Sequence, residues 1–143
     1  MDRKCFPVAV HLFLLKGKNI LLLKRFNTGY EDGNYSVIAG HLDGNEDVYA
    51  AIIREANEEA GIKIELKDLK IIQVMHRKKL DEERIDYFFI CKKWSGDIKN
   101  IESDKCSELK WYSVKNIPEN TIEYIKYAIK NYLNKNNFTL FGW

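Results

Sequence analysis

Residues 40–62 read Gly40-His-Leu-Asp-Gly-Asn-Glu-Asp-Val-Tyr-Ala-Ala-Ile-Ile-Arg-Glu-Ala-Asn-Glu-Glu-Ala-Gly-Ile62. From Val48 onward the apolar and charged residues separate on a helical period. Tyr49, Ile53, Ala56 and Ala60, with Ile52 at the edge, form a stripe suited to packing on a sheet. Asn45 is a good N-cap, Glu46 and Asp47 suit the positive end, and Gly61 after Ala60 suits a left-handed helix stop. On the front face stand Glu55, Glu58 and Glu59, at i, i+3 and i+4. Three like charges there repel one another and weaken an isolated helix. Hard divalent cations, which take oxygen ligands, are the first candidate for what offsets them. Val48 and Ala51 share this front face, and the small Ala51 is expected to leave room for an ion or ligand.

Outward from this helix the chain is mostly strands. Val8–Leu15 and Ile20–Arg25 read as strands joined by the turn Lys16-Gly17-Lys18-Asn19. Phe26–Asn34 is a loop rich in turn residues, Tyr35–Ile38 a short strand, and Gly40–Asn45 a loop with two glycines. Leu69–His76 and Ile85–Trp94 read as longer strands turning at Asp81-Glu82-Glu83, and Glu108–Ser113 as another. A second helix spans roughly Asn120–Leu133, with Ile122, Ile125, Ala128, Ile129 and Leu133 on its apolar side. The apolar tail Phe138–Trp143 is expected to pack down. Strands around one central helix, followed by a late helix, indicate an α/β/α or α+β sandwich.

The 143 residues fit one domain, 1–143, with a real core. No repeat, low-complexity tract or linker divides it. With 45% hydrophobic and 31% charged residues, the composition is that of a soluble globular protein. A net charge of +2, from 23 basic and 21 acidic residues, gives no electrostatic case for nucleic acid or an anionic membrane as partner. Cys5, Cys91 and Cys106 are odd in number and widely spaced, so reduced thiols in the cytoplasm are the simplest expectation. The apolar run Phe6–Leu15 is interrupted by Pro7 and His11 and is too short to span a bilayer.

The spacing around the helix carries more than its charge. Gly40 is followed by five residues and Glu46, then by seven and Arg54-Glu55. Ala56 and one free position precede Glu58-Glu59, and Ala60-Gly61-Ile62 closes the pattern. This resembles the Nudix box, the signature of hydrolases that act on nucleoside diphosphates linked to another group, and every fixed position is matched. The resemblance covers 23 residues and implies an α/β/α sandwich around a mixed sheet. Ala39 stands where the family often has proline, and His41 where it often has glycine.

The chemistry that the resemblance implies is physically coherent. Hydrolysis of a pyrophosphate link needs charge neutralised on non-bridging oxygens and a water placed in line. Magnesium takes a few carboxylates plus substrate phosphates and keeps several waters; manganese is the alternative. By resemblance Glu55, Glu58 and Glu59, with the carbonyl of Gly40, are the metal ligands, and one of the glutamates orients or deprotonates the water. Arg54 pairs with Glu46 to hold the loop. Many relatives carry a further acidic residue beyond the box. Asp97 is preferred here, because Gly96-Asp97 resembles the Gly-Glu of nucleotide-cleaning members, and Glu102 is the runner-up.

Substrate contacts are less sharply marked. Arg25 resembles basic residues that reach substrate phosphates, with Lys24 and Arg77 as weaker candidates. His41 follows the metal loop. Phe26, Tyr30 and Tyr35 flank the loop before the box, and Tyr30 is the candidate stacking platform. Asn120 sits near where purine-selective relatives place an asparagine. His11 reads as a core or strand-face histidine.

The expectation is a magnesium-dependent pyrophosphohydrolase taking a (d)NTP-like nucleotide to monophosphate and pyrophosphate. ADP-ribose, dinucleoside polyphosphates, nucleotide sugars and capped RNA stay open as substrates, the small net charge arguing mildly against long RNA. A catalytically weak nucleotide-binding sensor is the alternative of another class. Homodimers are frequent in the family.

Overall fold

The computed structural model describes residues 1–143. Its elements are β1 (Val8–Lys16), β2 (Asn19–Arg25), β3 (Tyr35–Ser36), β4 (Ile38–His41), α1 (Val48–Ala60), β5 (Leu69–Lys79), β6 (Glu82–Cys91), β7 (Cys106–Ser113), α2 (Glu123–Leu133) and β8 (Phe138–Phe141). A 3-10 turn, Leu66–Asp68, enters β5. Strand β1 is the organising element. Its residues Val8–Leu14 run parallel to β6, Ala9–Leu12 pair antiparallel with β4, and its last two residues turn into the β2 hairpin. Strands β5 and β8 extend the sheet beyond β6, and β7 and β3 flank β2. The sheet is therefore mixed.

The apolar residues of β1 divide between two cores because neighbouring side chains point to opposite faces. Val10, Leu12 and Leu14 meet Ala51, Ile52, Ala56 and Ala60 of α1. Phe13 and Leu15 meet Ile125, Ala128 and Ile129 of α2. A sheet covered on both faces by helices is the expected α/β/α sandwich. The tail packs down as an added strand, with β8 parallel to β5 and Thr139 donating from its hydroxyl to buried Gln73 at 2.8 Å.

Several boundaries differ from the sequence reading. Asp47, not Asn45, caps α1, accepting from the Ala50 N–H at 2.8 Å. Asn45 adopts φ 56°, in the turn before it. Ala51 is fully buried, so it packs in the core and lines no ion site. The buried stripe is centred on Ile52 and Ala56, leaving Ile53 half-buried, because the helix meets β1 and β4 together. Strand β4 continues through Gly40 and His41, where a loop was expected. The β5–β6 turn falls at Leu80-Asp81, and α2 starts at Glu123, since Thr121 bridges to Tyr35 in extended form.

Gly61 does end α1, at φ 70°. A Cβ there would be strained and would press on Ile101, 3.2 Å away. Gly61→Ala is expected to cost about 1–2 kcal/mol, read as a lower urea midpoint at unchanged m-value.

Candidate active site

Two features meet at residues 39–41 of β4: an acidic crevice on the α1 side and a cleft on the α2 side.

The crevice is built by helical spacing. Glu55 and Glu59 lie one turn apart and straddle the end of β4. Glu59 accepts the backbone N–H of Ala39 at 3.0 Å. Glu55 lies against Gly40 so closely that a Cβ at that position would overlap its carboxylate. Arg54 holds the frame. It donates from Nε and Nη2 to Glu46 at 3.1 and 2.7 Å, from Nη1 to Glu55 at 2.7 Å and Glu58 at 3.3 Å, and from Nη2 to the His41 carbonyl at 3.2 Å. Glu46 in turn accepts the Asp43 N–H at 3.0 Å. The Arg54 hydrogen bonds hold the Glu46 carboxyl below its usual range.

The other two carboxyls are pushed the opposite way. Burial raises Glu55, against the pull of Arg54. Burial and then the charge of Glu55 raise Glu59 well above the usual range, with the Ala39 N–H only partly offsetting them. Glu102 contributes to both shifts. Its loop is tied to α1 by Ile101 N–H donating to the Glu59 carbonyl at 3.3 Å and Lys99 N–H to Ala60 at 3.0 Å. Crowded carboxylates with too little positive charge are the donor set that suits a hard divalent cation. Glu55 and Glu59 fit that role and Gly40 borders them, while Glu58 is turned outward with its side chain about half exposed. No three carboxylates converge on one ready-made cage.

Of the two later acids, Glu102 faces the crevice electrostatically. Asp97, preferred from sequence, is exposed on the same loop and does not figure among the charges acting on Glu55 or Glu59. The reason is that the loop docks on the last turn of α1 through Lys99 and Ile101, after Asp97 and just before Glu102.

Gly40→Ala is expected to displace Glu55. With the carboxylate moved by an ångström-scale overlap, hydrolysis should fall about 100-fold, read in steady-state turnover beside an unchanged circular-dichroism spectrum.

The cleft, of about 770 Å³, is lined by Arg25, Tyr30, Ala39, Gly40, His41, Arg77, Lys79, Arg84 and Tyr124, among others. That size suits a nucleotide-sized ligand. Arg25 donates to the Tyr30 carbonyl at 2.7 Å and to Thr28 at 3.0 Å, with its guanidinium 5.1 Å from the Tyr30 ring centre. Its charge also weakly favours the ionised form of Glu59. His41 contacts Arg84 at 3.3 Å. Arg25, Tyr30 and His41 are thus brought together, whereas Asn120 is outside, its side-chain amide donating to the Gly33 carbonyl at 2.8 Å.

Sequence reading did not foresee the cleft floor. Asp86, fully buried on β6, accepts from Arg77 Nε at 2.7 Å, Arg77 Nη2 at 3.2 Å and His11 Nε2 at 3.0 Å. Arg77 lies 3.6 Å from the Tyr124 ring centre. Burial alone would raise Asp86; His11 and Arg77 outweigh it and hold the carboxyl at about 2. A visible signal existed: His11 is a lone polar residue inside the apolar strand β1, and Asp86 stands between Ile85 and the apolar run Tyr87–Cys91; polar residues so placed pair when buried.

An acidic loop-helix beside a cationic cleft on an α/β/α sandwich defines a class, the hydrolases of phosphoanhydride links. The NUDIX domain sequence model matches residues 6–132, and the chain belongs to the Nudix family of pyrophosphohydrolases. An ADP-ribose pyrophosphatase of Methanocaldococcus jannaschii is 28% identical over 130 residues, covering 91% of this chain and 75% of that protein. The fold is similar to that of a MutT Nudix hydrolase from Burkholderia pseudomallei, with TM-score 0.81, 23% identity, and 89% of this chain and 98% of that one covered. It is also similar to a MutT protein from Methanosarcina mazei, with TM-score 0.79, 21% identity, and 95% and 99% coverage. Family members act on nucleotide-like small molecules and generally use divalent metal ions. No helix is long and apolar enough to cross a membrane.

Proposed function

We propose that this enzyme hydrolyses a phosphoanhydride bond of a nucleoside di- or triphosphate derivative, with magnesium as its ion. A (d)NTP-like substrate would yield monophosphate and pyrophosphate. The observation that carries this reading is the junction at Gly40, which lines the cleft together with Arg25 and lies directly against the Glu55 carboxylate. A nucleoside in the cleft would run its phosphates past Arg25 toward Glu55 and Glu59. Tyr30 offers the base an aromatic face.

A divalent ion held by Glu55 and Glu59 beside the Gly40 carbonyl, with Glu58 joining only by swinging in from its outward position, would neutralise phosphate oxygens and acidify a bound water. Water adds to phosphorus as the bridging P–O bond breaks, and the water's proton passes to a crevice carboxylate. Glu102 is better placed than Asp97 to be that carboxylate. Arg54 and Glu46 keep Glu55 oriented and touch no substrate.

A second reading has its own support. The relative from Methanocaldococcus jannaschii is named for ADP-ribose. A panel of nucleotides with magnesium or manganese, with products identified by mass, separates the two. Monophosphate with pyrophosphate supports the first, and AMP with ribose 5-phosphate the second. Absence of metal-stimulated release across the panel would leave a nucleotide-binding sensor.

A further inference from the structure

Breaking the buried triad on the cleft floor from one side would be costly. Yet replacing such a network whole with packed apolar residues is often neutral or stabilising, so stability alone is weak grounds for its presence. Here the network leaves one atom over. His11 is 2% exposed and lines the cleft, and its Nδ1 is buried with no hydrogen-bond partner. Its other nitrogen is committed. Asp86, ionised, can only accept, so the 3.0 Å contact requires the proton on Nε2. In the neutral ring Nδ1 then carries a lone pair and is an acceptor.

The ring cannot turn to satisfy that nitrogen elsewhere. The Phe88 ring is stacked on it with centres 4.6 Å apart, the Tyr124 ring meets it edge-on with centres 5.6 Å apart, and rotation would break the Asp86 contact. Asp86 itself is pinned by Arg77 through two hydrogen bonds. Arg77, also on the cleft wall, has no partner at Nη1. The floor therefore offers a fixed acceptor beside a fixed cationic donor. Both sit on the α2 face, across β4 from the acidic crevice.

Resting on the nucleotide reading above, we infer that His11 Nδ1 is a specificity determinant that accepts a hydrogen bond from the exocyclic amino group of a purine base lodged in the cleft. Asp86 is the positioning residue that fixes the tautomer. Nδ1 is buried in the free protein, so a base reaches it only as a neighbouring side chain gives way.

The test uses matched ligands that lack the scissile bond. AMP is compared with purine riboside 5′-monophosphate, and GMP with IMP, each pair differing by one amino group. Binding is measured by calorimetry on the full chain. In the wild type the amino-bearing member of at least one pair should bind about tenfold more tightly, the worth of one hydrogen bond. His11→Gln can keep a donor to Asp86 but has nothing at the Nδ1 position, and should lose the preference. His11→Asn places an amide near Nδ1 and should retain part of it. Equal binding within both pairs overturns the inference. So does a preference that survives in His11→Gln, or equal loss in both variants, which would point to ring packing and not to the nitrogen. If none of the four ligands binds, the inference also falls, while the nucleotide reading is judged separately by the hydrolysis panel.

Discussion

Glu59→Gln should lower metal-dependent turnover by about a thousandfold while leaving the protein folded. Glu59 is the carboxylate most deeply set in the crevice, and its one hydrogen-bond partner is the Ala39 N–H at 3.0 Å. The amide keeps the shape of the side chain and an oxygen for that N–H, but removes the negative charge. The charge is what a divalent ion would use, and loss of a ligand that holds it removes several kcal/mol of transition-state stabilisation. Folding should respond in the other direction. Glu59 is raised by burial and by Glu55, so neutralising it relieves repulsion, and the thermal midpoint should hold or rise. Single-turnover product formation with magnesium, beside a thermal melt without metal, reads both effects. A variant that retains more than about a tenth of wild-type turnover would show that Glu59 is no essential ligand.

The largest effect on stability is expected at Asp86. Asp86→Asn is nearly isosteric, but it leaves the guanidinium of Arg77, 6% exposed, without its counter-charge. Breaking a buried pair from one side costs about 3 kcal/mol or more. The wild type should show the same interaction in its pH dependence. Asp86 is held at about 2 in the folded protein against an ordinary 3.8. Because the folded value is the lower one, the stabilisation is complete above pH 3.8. It is lost as pH falls through about 2, and amounts to about 2 kcal/mol. Urea unfolding of both proteins between about pH 2 and about pH 7 measures it. The curves should converge at the acid end. Parallel curves, or a variant within about 0.5 kcal/mol of wild type at neutral pH, would remove Asp86 from this role.

The two sites differ in how far they could be read from the chain. The Arg54–Glu46 pairing and the shared face of Glu55 and Glu59 follow from spacing along one helix, where 3.6 residues per turn converts sequence distance into position. Gly61 as the helix stop follows from the left-handed conformation that glycine tolerates. Where that local rule did not apply, the reading drifted. Ala51 faces the core and not an ion, because the direction of burial depends on how α1 meets β1 and β4. Glu102 and Asp97 are five positions apart on one loop, and only the loop's docking on the last turn of α1 decides which of them faces the crevice. Asn120 was placed by analogy, but its amide is used by the Gly33 carbonyl.

The alternation of β1, apolar on both faces, and the stripes of α1 and α2 were sufficient to demand a sheet with a helix on each side. The 23-residue box was sufficient to place the acidic chemistry. Neither could place the cleft. His11, Arg77 and Asp86 come from three strands, and they meet only because β1 runs parallel to β6 in the register that sets Ala9 beside Asp86, while β5 returns antiparallel to bring Arg77 opposite Arg84. Strand register is a non-local quantity, set by the packing of both cores at once. Spacing within one helix therefore located the chemistry, and pairing between distant strands built the surface that selects the molecule on which it acts.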